Sequence, residues 1–313
     1  MRDLAEAGAH RLLRQGHHGR RFLGDGAGVE SLISWAAIIG NSATGLRTHR
    51  VRRRLRGNLV DVTLVEHTQT LSWLRPLINH VSRDTLMFGC TNVLRIAGHL
   101  AISEEVAPGR ESIESALEGN EHFRWLDKET GWFTLGDSAG SSIANRVRKI
   151  MAVAQTHVGA DEIAGALAGD DLMMYRYSRV LGLSVPPVHV LRELFSTWPW
   201  LKVVQRGRFM AGPSFDAKGV LSDAEALAAN IIGQHDGVAC RFELRDGIMN
   251  SLHLTNMAVS VMLGSSPIFV RLEHGLYSLI GRRIGDTAVN AARARYRLRA
   301  AQSVRSPEMG SPR

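Results

Sequence analysis

The sequence predicts a mainly α-helical chain with short β-hairpins, and three observations carry that expectation. One outline recurs at residues 122–136 (HFRWLDKETGWFTLG), 199–212 (PWLKVVQRGRFMAG) and 267–281 (PIFVRLEHGLYSLIG). In each copy an apolar run meets a polar turn with a glycine (Gly131, Gly207, Gly275), then an alternating strand with an aromatic: Trp132-Phe133, Phe209 or Tyr277. Alternation about a glycine turn reads as a tight hairpin. A helical pattern precedes each copy, and a shorter amphipathic segment precedes that, at 89–100, 157–167 and 237–248. Helix, short strand, helix, turn, helix, hairpin is the order of a winged helix. Three copies in register are a far more specific signal than one. The expected fold class is a helix-turn-helix plus three tandem winged-helix domains.

Taken in order, residues 1–28 read as a flexible N-terminus, and 29–62 as the helix-turn-helix. Trp35, Ala36 and Ile39 suggest one short helix, Gly40-Asn41-Ser42 a turn, and Leu46 to Leu55 a second helix. The first winged helix spans 63–137. Its third helix, 109–118, places Ile113, Ala116 and Leu117 on one face. The second spans 138–216, with Val190, Leu191, Leu194 and Phe195 on a helix at 187–197 that Pro187 suits as a first turn. The third spans 217–283. There Leu254, Met257, Ala258 and Val261 predict one helix over 250–263 with Asn250 as its N-cap. Residues 284–313 form a basic tail, with Arg293 and Arg297 at near-helical spacing and a disordered end.

Charge narrows the function classes. The 313 residues carry 38 Lys+Arg against 30 Asp+Glu, a net charge of +8, with arginines clustered. Such a balance suits a polyanionic partner, most simply nucleic acid. Cys90 and Cys240 are the two cysteines and lack metal or redox spacing, which favours a reducing cytoplasm. The N-terminus has no apolar signal-peptide core, and no apolar run reaches membrane-span length.

The run IIGNSATGLRTHRVRRRLR (38–56) resembles region 4 of bacterial sigma factors, the helix-turn-helix that reads the promoter −35 element. It matches in the turn glycine, the serine after it and the basic end of the recognition helix. The segments FRWLDKETGWFTL, NRVRKIMAVA, PPVHVLRELFSTWPWLKV and SPIFVRLEHGLYSLIG resemble winged-helix repeats of sigma-factor-like bacterial proteins. Together the two resemblances cover about residues 30–283. They imply that Thr44, Arg47, Thr48 and His49 face base edges, while Arg50, Arg52, Arg53, Arg54 and Arg56 neutralise phosphates. Nothing in the sequence resembles the sigma region that binds core polymerase and melts the −10 element. The implication is therefore promoter or DNA binding, not a complete initiation factor.

The three would-be reading helices differ in charge. The first carries Glu111, Glu114 and Glu118, which repel phosphates and suit a spacer or protein contact. The second offers His189 and Arg192, with Lys202, Arg206 and Arg208 on its hairpin. The third offers the neutral hydrogen-bonding set Asn250, Ser251, His253 and Asn256, with Arg271 and His274 on its wing.

Against this stands GDSAG (136–140), which spells a G-x-S-x-G nucleophile elbow around Ser138 and would make the chain a serine esterase. No HGGG-type oxyanion loop or doubly wound sheet accompanies it, so no enzyme activity, cofactor or metal is expected. The expectation is a DNA-binding transcription regulator whose partner is double-stranded DNA. The alternative is a winged-helix scaffold that binds RNA polymerase or another protein without sequence readout.

Overall fold

The computed structural model describes residues 46–55, 58–67, 73–103, 108–120, 122–136, 138–168, 185–205 and 207–305. The chain divides into two compact bodies, residues 1–142 and 143–313.

Among the described residues of the first body, the first element is an antiparallel two-stranded ribbon, β1 (Leu46–Leu55) and β2 (Asn58–His67), in register from Leu46↔His67 to Leu55↔Asn58. This corrects the expected helix-turn-helix: residues 46–55 are strand, not a recognition helix. Leu59, Val60, Val62, Leu64 and Val65 supply a β-rich partner sequence that the helix reading did not weigh. The arginine run has the composition of an exposed helix face and equally of an exposed ribbon.

The same series of elements then occurs three times. The first repeat holds α1 (Leu74–Phe88), β3 (Thr91–Asn92), α2 (Val93–Ser103), α3 (Arg110–Glu118), β4 (Phe123–Asp127) and β5 (Trp132–Leu135). The second holds α4 (Ser142–Val153), β6 (Val158–Gly159), α5 (Ala160–Ala168), α6 (Val188–Phe195), β7 (Leu201–Gln205) and β8 (Arg208–Ala211). The third holds α7 (Asp223–Gln234), β9 (Ala239–Cys240), α8 (Arg241–Leu252), α9 (Asn256–Ser265), β10 (Phe269–Glu273) and β11 (Leu276–Leu279), and α10 (Asp286–Arg305) follows. Each repeat has a three-stranded antiparallel sheet in the order first, third, second: β3-β5-β4, β6-β8-β7 and β9-β11-β10.

The repetition extends to single atoms. Gly131, Gly207 and Gly275 all have positive φ, at 80°, 79° and 78°, which L side chains adopt only with strain. Each carbonyl then accepts the first N–H of the second helix: Val93 at 2.9 Å, Ala160 at 3.0 Å and Arg241 at 2.8 Å. The hairpin turn thus satisfies a helix N-terminus whose donors have no partner within the helix. A side chain closes the same junction. Asn92 accepts from Leu94 N–H, Glu162 from Gly159 N–H and Glu243 from Cys240 N–H. Opposite each short strand stands the aromatic singled out in the sequence: Thr91↔Phe133, Val158↔Phe209 and Ala239↔Tyr277.

Each repeat has its own apolar core. Leu77, Val81, Val93, Ile96, Leu100, Ile113, Leu117 and Phe133 pack in the first. In the second, Val147, Ile150, Val158, Ile163, Leu167, Val190, Leu194, Phe195 and Phe209 are buried. Ile232, Leu244, Ile248, Val259, Leu263, Ile268 and Leu279 pack in the third. In the first two repeats the buried helix residues are those read three and four apart in the sequence, but on α9 the expected face is wrong: Met257, Ala258 and Val261 are exposed, and Val259 and Leu263 are buried instead.

Within the second body the last two repeats dock. The Lys149 ammonium on α4 lies 2.8 Å from both oxygens of Glu225 on α7. Ser222 N–H and the Ser266 hydroxyl complete that carboxylate's shell. Thr156 donates its N–H and its hydroxyl to the carbonyl of Gly281. A Cβ on Gly281 would lie 2.8 Å from both Ala154 and Val158, so the approach requires glycine.

Candidate nucleic-acid interface

In the second repeat, α6 and the β7–β8 hairpin present one continuous surface. Val190, Leu191, Leu194 and Phe195 face inward, which leaves His189, Arg192, Glu193 and Ser196 exposed. The Arg192 stem lies against the turn, since a Cβ on Gly207 would meet its Cδ at 2.8 Å. Helix and wing are thereby brought together at one cation. The Arg192 guanidinium stands 3.9 Å from Glu193, and both side chains are about half exposed, so this ion pair is weak. Lys202 and Arg208 extend the positive surface along the hairpin. Arg206, expected beside them, lies outside the described residues, as do Thr44 and Arg56.

Arg47, Thr48, His49, Arg50, Arg52, Arg53 and Arg54 all fall on β1, so their assignment to a recognition helix is withdrawn.

The third repeat departs from expectation in its reading helix. The single helix expected over 250–263 is two. Asn250 and Ser251 end α8, His253 takes a left-handed turn at φ 52°, and Asn256 begins α9. The cap is Thr255, not Asn250, its hydroxyl accepting from Ala258 N–H at 3.2 Å. Leu254, Met257, Ala258 and Val261 keep helical spacing across the break, which hid it from a periodicity argument. The polar set therefore clusters around an interhelical turn, with Arg271 exposed on β10. The outer face of α9 is apolar instead: Met257 is 74% and Val261 47% exposed, and the helix has no charged side chain.

The basic tail is a helix of the third repeat. Val238, Cys240, Leu276 and Ala292 pack together, with Ile284, Val289 and Tyr296 against them. Arg293 pairs with Glu273 at 2.8 Å, and Arg295 with Glu243 at 2.6 Å. Tyr296 covers the Gly275 turn and meets His274 Nδ1 through its hydroxyl at 3.1 Å. These arginines face acidic partners, whereas Arg297 is exposed.

In the first repeat α3 remains acidic. Glu114 is held by Arg110 at 2.6 Å, and Glu118 accepts from the Trp125 indole at 2.9 Å. Between this repeat and α4, Ser138 sits in a 3-10 turn (Ser138–Gly140) and is 6% exposed. A nucleophile elbow instead presents its serine openly. Sequence reasoning missed a cluster on α1 and α2, where His80 and His99 stack beside Arg83 and Arg95. Its members are separated along two helices and form no motif.

Among the described residues no His, Cys, Asp or Glu cluster has metal-binding geometry, and no helix is long and apolar enough to cross a membrane. Comparison with family models, curated proteins and solved structures finds no match for this chain.

Proposed function

We propose that the chain is a DNA-binding protein built from three winged-helix modules, with the second module as its principal duplex contact. The observation that carries this reading is the threefold order α-β-α-α-β-β with sheet order first, third, second. In winged helices that contact duplexes in this way, the third helix enters the major groove and the hairpin lies along the backbone. The second repeat places the exposed Arg192 on that helix with Lys202 and Arg208 along its wing, whereas the exposed Arg110 of the first repeat is paired with Glu114 on a helix that carries three glutamates. The ribbon adds a ten-residue strand with the sequence LRTHRVRRRL, and a two-stranded β-ribbon is an element the major groove admits.

The test is binding of labelled duplex across a salt series. Arg192→Ala should weaken binding to all sequences and reduce the salt slope by about one. Replacing Arg52, Arg53 and Arg54 together by Ala should weaken it further. Binding that ignores salt would contradict the reading, because phosphate contacts release counterions.

A second reading has its own support. The acidic α3 and the uncharged, apolar α9 are poor surfaces for phosphates and suit contact with a protein such as RNA polymerase. In that arrangement the second module engages DNA while the first and third hold a partner. A transcription regulator would need both.

A further inference from the structure

The pairing of β1 with β2 sorts the arginine-rich segment into two unlike faces. Successive residues of a strand alternate between faces, and residues paired across strands share one. The register Arg50↔Thr63, Arg52↔Asp61 and Arg54↔Leu59 therefore gathers three arginines, Asp61 and Thr63 on one face, with Thr48 beside them. The register His49↔Leu64, Val51↔Val62 and Arg53↔Val60 gathers Val51, Val60, Val62 and Leu64 on the other. An antiparallel pair of this pattern keeps its apolar face from water and leaves its polar face to a polar partner.

The polar face is not uniformly basic. Arginine only donates, a threonine hydroxyl donates and accepts, and an aspartate carboxylate only accepts. A surface built solely to follow phosphates gains nothing from Asp61, whose charge they repel. Base edges in the major groove reward the mixed set. Arginine donates to guanine O6 and N7, a carboxylate accepts from the cytosine amino group, and threonine serves either role. Dimensions agree: paired strands lie about 4.8 Å apart, well inside a groove about 12 Å wide.

We propose that the ribbon face carrying Arg50, Arg52, Asp61 and Thr63 reads base edges in the major groove of duplex DNA. The inference rests on the DNA-binding reading and deepens it by dividing the work. Arg192, Lys202 and Arg208 of the second repeat hold phosphates, and the ribbon selects sequence. The strand also regroups the segment. A recognition helix would divide it between His49 and Arg50, whereas a strand divides it by alternate residues, so Arg47 and Arg53 fall on the opposite face. The preferred site contains G·C pairs, because arginine and aspartate together match guanine and cytosine.

Bound sequences are selected from random duplex DNA with the full chain, and the native chain should enrich a motif containing G·C pairs. Affinity for that motif is then compared with affinity for a scrambled duplex. Arg50→Ala with Arg52→Ala should cut the ratio about tenfold. Arg47→Ala with Arg53→Ala removes the same charge from the opposite face. It should weaken binding to both duplexes and keep their ratio within about twofold. Asp61→Asn removes a negative charge, so it should strengthen binding to the scrambled duplex while lowering the ratio. Unchanged melting shows that the variants fold, and the native selection stands without them. The proposal is overturned if the native chain binds duplex but enriches no motif. It is overturned equally if the ratio survives loss of Arg50 and Arg52, or falls as far without Arg47 and Arg53. Each of these results leaves salt-dependent binding, and with it the DNA reading, intact. Absence of duplex binding at low salt overturns both.

Discussion

At the residue scale, the three turn glycines have one backbone conformation but different surroundings. Gly131, Gly207 and Gly275 share φ near 80°, so alanine at any of them costs about 1 kcal/mol in backbone strain. A Cβ on Gly131 would find its nearest neighbour at 3.6 Å, which is ordinary contact. On Gly275 it would collide with the Tyr296 ring. Gly275→Ala should therefore destabilise by roughly 1–3 kcal/mol more than Gly131→Ala. Denaturant unfolding read through local amide protection would check this, and equal losses would refute it. These glycines were legible as turns because a glycine between alternating strands is a local signal. Their second role, accepting the first N–H of a distant helix, needs the fold and leaves no local trace.

At the scale of elements, the joint between α4 and α7 rests on one buried carboxylate. Burial alone would raise the Glu225 pKa. Lys149, then Ser266 and the Ser222 N–H, outweigh burial and hold it below its usual value. Such a group stabilises the fold above its unfolded pKa, and that contribution is lost as pH falls through the folded value. Glu225→Gln should cost about 2–3 kcal/mol at neutral pH, less than a fully buried pair because Lys149 is 31% exposed. It should also flatten the acid limb of the stability curve for the second body. The α1–α2 pair has the opposite group type. With both histidine pKa values lowered, stability of the first repeat is lost as pH falls through about 6.5 toward the folded values. Replacing His80 and His99 by Gln should remove that slope in a pH series of amide exchange. Neither cluster was visible beforehand, since Lys149 and Glu225 lie 76 positions apart. The β1 strand failed for a different reason. A run of arginines has no apolar periodicity to distinguish strand from helix, and tertiary pairing with β2 decided it.

At the scale of the molecule, repetition was the most legible property and charge the next. The hairpins and the helices before them followed from patterns near in sequence, whereas the α8–α9 break hid inside one continuous apolar pattern. Three copies of one topology carry three differently charged third helices: acidic α3, α6 with one arginine and one glutamate, and uncharged α9. A single scaffold has thus been given separate surfaces, and the proposed division of labour assigns duplex DNA to the second. Changing α9 by Met257→Glu should leave duplex affinity within about twofold, because the helix makes no phosphate contact in this account. The most direct measurement is duplex binding by fluorescence anisotropy across a salt series, for the native chain and for Arg192→Ala with Lys202→Ala. The account predicts affinity that falls steeply with salt, and a shallower slope in the variant. Identical slopes in the two proteins, or no duplex binding at low salt, would contradict it.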